Sequence, residues 1–201
     1  MIKHIVFDVG RVLLHWDPEL PYRRLIPDPQ RRAWFLSEVC SPAWNREQDR
    51  GRGWPEAEAV LIAERPEEAD LIRAYRRYWN EMVPYAIEES CQVLASLVKA
   101  GMDVTLLTNF HQETFEVAKA RFPFLSATRG ATVSGEVALL KPERAIYDHH
   151  TSTFGLDPDA TLFFDDTAEN VDGAKAAGWR AHLFTTPQQM RADLAAAGVA
   201  V

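Results

Sequence analysis

Cysteine is scarce in this chain: 201 residues contain two, Cys40 and Cys91. They stand apart with no C-x-x-C spacing, which weighs against a disulfide framework or a thiolate metal site. Both read as buried thiols of a reducing compartment. No apolar run approaches the roughly eighteen residues needed to cross a membrane. Basic runs are missing too, and the formal net charge is −7. That balance argues against nucleic acid or an anionic membrane surface as partner. The first strand pattern starts almost at Met1, which leaves no length for a signal or transit peptide, so the cytoplasm is the expected location. Internal repeats and low-complexity tracts are absent. One further absence is regional: between His15 and Val83 no convincing buried strand can be drawn.

What is present is ordinary for a globular protein. The chain is 47% hydrophobic, enough for one core with a small insert and short for two full domains. Its organising stretch is HIVFDVGRVLL, from His4 to Leu14. The β-branched and aromatic run Ile5-Val6-Phe7 predicts a strand buried on both faces. It stops at Asp8, where an open α/β sheet has its crevice. Gly10 then offers a sharp turn or a close approach to a ligand. In the strandless region, three amphipathic helices are expected near 29–39, 55–64 and 67–82, with Pro55 and Pro66 at starting positions. Trp34, Phe35 and Val39 share a side of the first. Ala59, Val60 and Ile62 are among the apolar residues of the second. Leu71, Ile72, Tyr75, Tyr78 and Trp79 mark the third. Residues 51–53 (GRG) read as a turn.

From Pro84 onward helix and strand alternate. Helices are expected at 86–100, 112–121, 143–154, 168–177 and 187–197, and strands at 103–107, 128–133, 161–164 and 180–184. Gly101, Gly155 and Gly178 end helices. With the first strand this makes about five, joined through helices, which predicts a parallel sheet covered on both faces. The expected organisation is a core of residues 1–14 plus 84–201 and a helical cap of residues 15–83. A helical insert so near the Asp8 turn is placed to act as a lid.

Three strand ends then fall on one edge: Asp8, Thr108-Asn109 and Asp165-Asp166. Three carboxylates at one place repel each other, and Mg²⁺, a hard cation with oxygen ligands, resolves this. Asp8 and Asp166 are the expected direct ligands, Asp165 acts directly or through water, and the Gly10 carbonyl adds an oxygen. A carboxylate can also attack phosphorus, and Asp8 is best placed to do so. The Thr108 hydroxyl and Asn109 would hold phosphate oxygens. Lys141, ahead of Pro142, is the fixed cation that a phosphoryl transition state needs. Taken singly, Thr108-Asn109 is an ordinary helix cap, Asp165-Asp166 a common acidic helix start and Lys141 a surface charge. Taken together they point to phosphoryl chemistry.

These stretches resemble the motifs of the haloacid dehalogenase (HAD) superfamily of hydrolases, in its branch with a helical cap after the first motif. The resemblance spans the chain: FDVGRVLL with Asp8, LLTN with Thr108, LLKPERAIYDHH with Lys141, and FFDDTAEN with Asp165, Asp166 and Asn170. It implies a Rossmann-like core, Asp8 as nucleophile, Thr108 and Lys141 as phosphate-holding groups, and Mg²⁺ held by Asp8, the Gly10 carbonyl and the motif-four aspartates. It also implies a cap that closes over a small phosphorylated metabolite. Arg50-Gly51 resembles the cap turn that reaches toward the active site in related proteins.

One departure matters. Most phosphatases of the family carry a second Asp two residues after the nucleophile, and here that position is Gly10, which cannot do acid–base work. Dehalogenases of the superfamily lack it too, but their fourth motif lacks the paired aspartates present here. The favoured alternative is a phosphatase with an Asp-x-Gly first motif, as in some sugar-phosphate phosphatases. Without a general acid, good leaving groups are preferred, which makes a sugar 1-phosphate the first guess. His15 and His111 are candidate replacement acids. Arg11 is a candidate substrate contact, whereas Trp16 reads as packing and Arg50 as surface charge. The rival readings are a phosphate-binding regulatory protein without turnover and a metal-independent dehalogenase.

Overall fold

A computed structural model describes residues 1–200. Its described residues form a five-stranded sheet: β1 His4–Phe7, β2 Asp103–Thr108, β3 Ala131–Val133, β4 Thr161–Asp165 and β5 Arg180–Leu183. The spatial order is β3-β2-β1-β4-β5, and every pairing is parallel. β1 is central, with Phe7 level with Leu106 of β2 and Phe164 of β4. The chain is an α/β protein with a Rossmann-like sheet.

The alternation of β1 explains its central place. Ile5 and Phe7 face one core with Leu106 and Phe164, and Val6 faces the other with Leu107 and Phe163. Ile5, Val6 and Phe7 are fully buried, each contributing about 1.5–3 kcal/mol of apolar burial. Helices Glu88–Lys99, Gln112–Arg121 and Pro187–Ala196 cover the first face through Val93, Leu94, Phe115 and Leu194. Arg144–Phe154 and Ala168–Ala176 cover the second through Ile146, Tyr147 and Val171. Parallel strands put Asp8, Thr108 and Asp165 at one edge of the sheet.

The stretch between β1 and β2 is helical and buries a cluster of its own, built on Tyr22, Phe35, Trp54, Leu61, Ile72 and Tyr75. Its details depart from the sequence reading. The expected helix at 29–39 is α-helical only over Pro29–Trp34 and widens into a π turn over Phe35–Val39. Trp34 is exposed, with the Arg31 guanidinium over its ring. In Trp54–Glu64 the buried face is Trp54, Ala57 and Leu61, while Ala59 and Val60 face out. The third helix breaks at Tyr78 into Ala69–Arg77 and Trp79–Met82. Two helices were not anticipated: Glu19–Leu25 and Pro42–Asp49. β3 is also shorter than expected. No helix among the described residues is long and apolar enough to cross a membrane.

Candidate active site

Asp8 follows β1 directly, and its backbone N–H donates to the Phe164 carbonyl at 2.9 Å. The turn beyond it corrects one expectation. Gly10 was expected to allow a sharp turn or a close approach to a ligand; for the turn, the left-handed residue is Arg11, at φ 56. A Cβ built on Gly10 meets nothing within 4 Å. Neither backbone nor packing requires a glycine there.

Lys141 is 1% exposed and lies at the centre of the site. Its ammonium has three acceptors for three protons: Asp8 Oδ1 at 2.8 Å, Asp165 Oδ2 at 2.6 Å and the Leu107 carbonyl at 3.0 Å. Asn109 holds its backbone from both sides. Lys141 N–H donates to Asn109 Oδ1 at 2.9 Å, and Asn109 Nδ2 donates to the Lys141 carbonyl at 3.0 Å. Asn109, expected to bind phosphate oxygens, therefore spends its amide chiefly on placing Lys141. Asp165 is equally committed: besides Lys141 it accepts from Thr167 N–H at 2.8 Å and from Asn170 Nδ2 at 3.0 Å.

Carboxylate oxygens of Asp8, Asp165 and Asp166 all lie within 4.8 Å of one another. Burial pushes the Asp8 carboxyl up to about 7; Lys141 pulls it down, while Asp165 and Asp166 add to the rise. Burial, then Asp165, also raises Asp166. Burial alone would lower the Lys141 ammonium, but Asp165 and Asp8 outweigh it and hold the charge. Arg11 reaches Asp166 at 3.8 Å from an exposed position, where an ion pair contributes little. Three carboxylates facing one buried lysine leave a surplus of negative charge and an all-oxygen donor set, which suits a hard divalent cation.

Two cavities meet here. A polar one of about 160 Å³ is walled by Asp8, Gly10, Arg11, Lys141, Asp166 and Asn170. An apolar one of about 100 Å³ is walled by Leu14, Trp54, Trp79, Val83 and Phe110, with His15, Asn45, Asp49 and Thr114 among its polar members. Gly10, Trp16 and Asn109 line both. Trp16, read as packing, does pack between the clusters and also forms part of both walls. Thr108 and Asp165 are buried and line neither cavity. His15 lines the apolar cavity, its ring stacked on Tyr85. His111 lines neither; its Nδ1 accepts from Glu113 N–H, and burial lowers its pKa. Tied up as a helix cap and lining neither cavity, His111 is not placed to protonate a leaving group in either.

The turn at residues 49–51 docks onto the sheet edge. Ser134 Oγ donates to the Asp49 carbonyl, Arg46 Nη2 donates to the Lys141 carbonyl at 3.2 Å, and Arg50 pairs with Glu143 at 3.1 Å. Arg50 is thus a tie between helical segment and core, where surface charge had been expected. Gly51 sits at φ +109, and a Cβ there would lie 2.8 Å from the Gly135 carbonyl oxygen. Gly51→Ala therefore pays for a left-handed alanine and a backbone clash, and is expected to cost about 1–3 kcal/mol. Thermal melting checks this; a variant that melts with the wild type contradicts it. Asp49 escaped the sequence reading because nothing in its spacing marks it as lining a cavity. The adjoining Arg50-Gly51 turn was the available signal.

Residues 2–178 match the family described as haloacid dehalogenase-like hydrolase. Among curated proteins the chain is 21% identical over 197 residues to the drimenol cyclase drtB of Aspergillus calidoustus, covering 96% of this chain and 36% of that protein. The chain thus spans about a third of that relative's length. Among solved structures it resembles a HAD family enzyme of Bacteroides thetaiotaomicron in complex with magnesium and inorganic phosphate. The TM-score is 0.71 at 22% identity, covering 92% of this chain and 95% of that one. It also resembles an L-2-haloacid dehalogenase of Xanthobacter autotrophicus with chloropropionic acid covalently bound. Here the TM-score is 0.66 at 18% identity, covering 100% and 85%.

Proposed function

Because the chain belongs to the haloacid dehalogenase-like hydrolase family, we propose that it is a Mg²⁺-dependent phosphomonoesterase acting through an aspartyl-phosphate on Asp8. One observation carries this reading above dehalogenation. The carboxylates of Asp8, Asp165 and Asp166 are gathered within 4.8 Å around one lysine, beside a polar cavity. Such a surplus of negative charge repels an anionic haloacid and welcomes a metal–phosphate pair. The magnesium and phosphate in the Bacteroides neighbour support it by analogy of fold.

Asp8, Asp166 and the Gly10 carbonyl would hold the Mg²⁺, which when bound supplies positive charge against the phosphate oxygens. Lys141 grips Asp8 Oδ1 and leaves its other carboxylate oxygen to attack phosphorus. As that bond forms, the ester P–O bond breaks, and the leaving oxygen keeps its electron pair and takes a proton that the attacking water later replaces. Water then attacks the phosphorus of the aspartyl-phosphate and frees Asp8. Asp165 and Asn109 position Lys141 throughout. Arg11, exposed at the mouth of the polar cavity, is a substrate contact.

The apolar cavity is the natural place for the leaving alcohol, since it adjoins the polar one at Gly10. Its tryptophan-rich wall bears on the sugar 1-phosphate guess. Hydroxyls buried there would lose water without replacement partners, so a compact apolar or aromatic alcohol fits better. Benzyl phosphate, glucose 1-phosphate and 2-chloropropionate, each assayed with Mg²⁺ and with chelator, test the reading. Phosphate release from benzyl phosphate is expected to be fastest and to fall at least ~100-fold on chelation, a loss of several kcal/mol of charge stabilisation. Chloride release without metal would overturn it in favour of a dehalogenase. Phosphate binding without any turnover would overturn it in favour of a binding protein.

A further inference from the structure

Gly10 leaves the turn after β1 without a proton donor, yet the alkoxide of an ordinary alcohol departs slowly unless it is protonated. The wall that Gly10 shares with the apolar cavity contains one carboxyl from another part of the chain. We propose that Asp49, carried to the sheet edge by the Pro42–Asp49 helix, is the general acid–base of this enzyme. The assignment rests on the phosphatase reading above and deepens it.

Asp49 and Gly10 line the same cavity, and Gly10 is one of the residues through which that cavity adjoins the polar one. Asp49 is held there firmly. Its carboxyl Oδ2 accepts from Asn45 Nδ2 at 2.9 Å, and its carbonyl accepts from Ser134 Oγ. On its helix, Arg46 reaches the Lys141 carbonyl, and the next residue, Arg50, pairs with Glu143. The carboxyl is therefore fixed relative to the Lys141–Asp8 pair by ties on both sides.

Its surroundings favour the protonated form, which an acid needs at the start of the cycle. Asp49 is the last residue of its helix, where the dipole disfavours negative charge. It makes no ion pair among the described residues. Burial pushes it up to about 8, a hydrogen bond from the His111 backbone and the charge of Arg46 oppose this, and Asp8 adds to the rise.

The proton balance closes. As the ester P–O bond breaks, the Asp49 carboxyl gives its proton to the leaving oxygen and becomes a carboxylate. In the second half, water bonds to phosphorus as the Asp8–phosphorus bond breaks, and the Asp49 carboxylate takes the water proton. The sum is ester plus water to alcohol plus phosphate, with Asp49 restored.

The test compares benzyl phosphate, whose leaving group needs a proton, with p-nitrophenyl phosphate, whose leaving group does not. Asp49→Asn is expected to lower kcat/KM for benzyl phosphate about 100-fold, the scale of general acid catalysis, and for p-nitrophenyl phosphate by less than about 5-fold. Adding Gly10→Asp, for which a Cβ has open space, is expected to restore at least about tenfold on benzyl phosphate. Equal losses on both substrates, no loss, or a selective loss in His15→Gln instead would overturn the role of Asp49. Should Asp49→Asn fail to fold, the wild-type pH profile decides. The benzyl-to-nitrophenyl rate ratio is expected to fall as pH rises through about 8. Arg46, Tyr75, the His111 backbone and Asp8 bear on this carboxyl, and His15 lines the same cavity; their titration affects both substrates, so the ratio isolates the donor. A flat ratio overturns the assignment. Wild-type protein that releases phosphate from neither ester overturns the phosphatase reading and Asp49 with it. Wild-type turnover with an unselective Asp49→Asn overturns Asp49 alone.

Discussion

Lys141→Met is expected to stop phosphate release and to destabilise the protein by about 3–5 kcal/mol, the scale for removing one partner from a buried charge cluster. The methionine fills the space but satisfies none of Asp8, Asp165 or the Leu107 carbonyl, all of which lean on the ammonium. Asp165 is fully buried and Asp8 nearly so, and like charges at this separation cannot both stay ionised unpaired. The Asp8 carboxyl, already raised to about 7 with Lys141 pulling it down, rises further and is protonated where it should attack. The sign with pH follows. A carboxyl whose folded pKa lies above its unfolded value adds stability below the unfolded value and loses it as pH climbs through the folded one. The melting gap between variant and wild type should therefore be small near pH 4 and widen through pH 7 and beyond, measured without added Mg²⁺. A constant gap across that range would mean that the cost is packing alone. Arginine is no substitute, because its planar fork cannot present three protons to three acceptors around one nitrogen.

The sheet was readable because its signals are local and redundant. Ile5-Val6-Phe7 is apolar on both faces, Gly101, Gly155 and Gly178 stop helices at φ +78, +58 and +93, and parallel pairing forces the acidic strand ends together. The helical segment was harder, because its burial is decided by neighbours. Pro42–Asp49 buries only Gln48, so no apolar stripe announces it; Ser41 before Pro42, its N-cap, is the one local signal. Trp54 sits on the true buried face of its helix, but Ala59, Val60 and Ile62 form a more apolar-looking run. Within the site, residue identities were legible and divisions of labour were not. Nothing in LLTN says that Asn109 clasps the Lys141 backbone, or in FFDDTAEN that Asp165 serves Lys141 while Asp166 faces the cavity. Gly10 reads as a turn-former by residue type, yet Arg11 takes the left-handed position. Partners distant in the chain set each of these assignments.

Asp8→Asn should be as inactive as Lys141→Met and opposite to it in stability. Removing the nucleophile is expected to lower phosphate release by about four orders of magnitude or more, the scale seen when an enzyme loses the group that forms its covalent intermediate. The amide is nearly isosteric, and its oxygen can still accept from Lys141. What disappears is one of three mutually repelling carboxylates, which burial holds up to about 7 and whose charge adds to the rise of Asp49. Above pH 7 the wild type must keep that charge ionised in a dry place, and the variant need not. Its melting temperature without Mg²⁺ is therefore expected to equal or exceed that of the wild type, with any gain growing as pH rises. Added Mg²⁺ should shift this balance toward the wild type, because the cation rewards the carboxylate the variant lacks. An inactive Asp8→Asn that melts well below the wild type at pH 8 would show that Asp8 is chiefly a structural partner of Lys141. The surplus of negative charge would then no longer explain why these three carboxylates stand together.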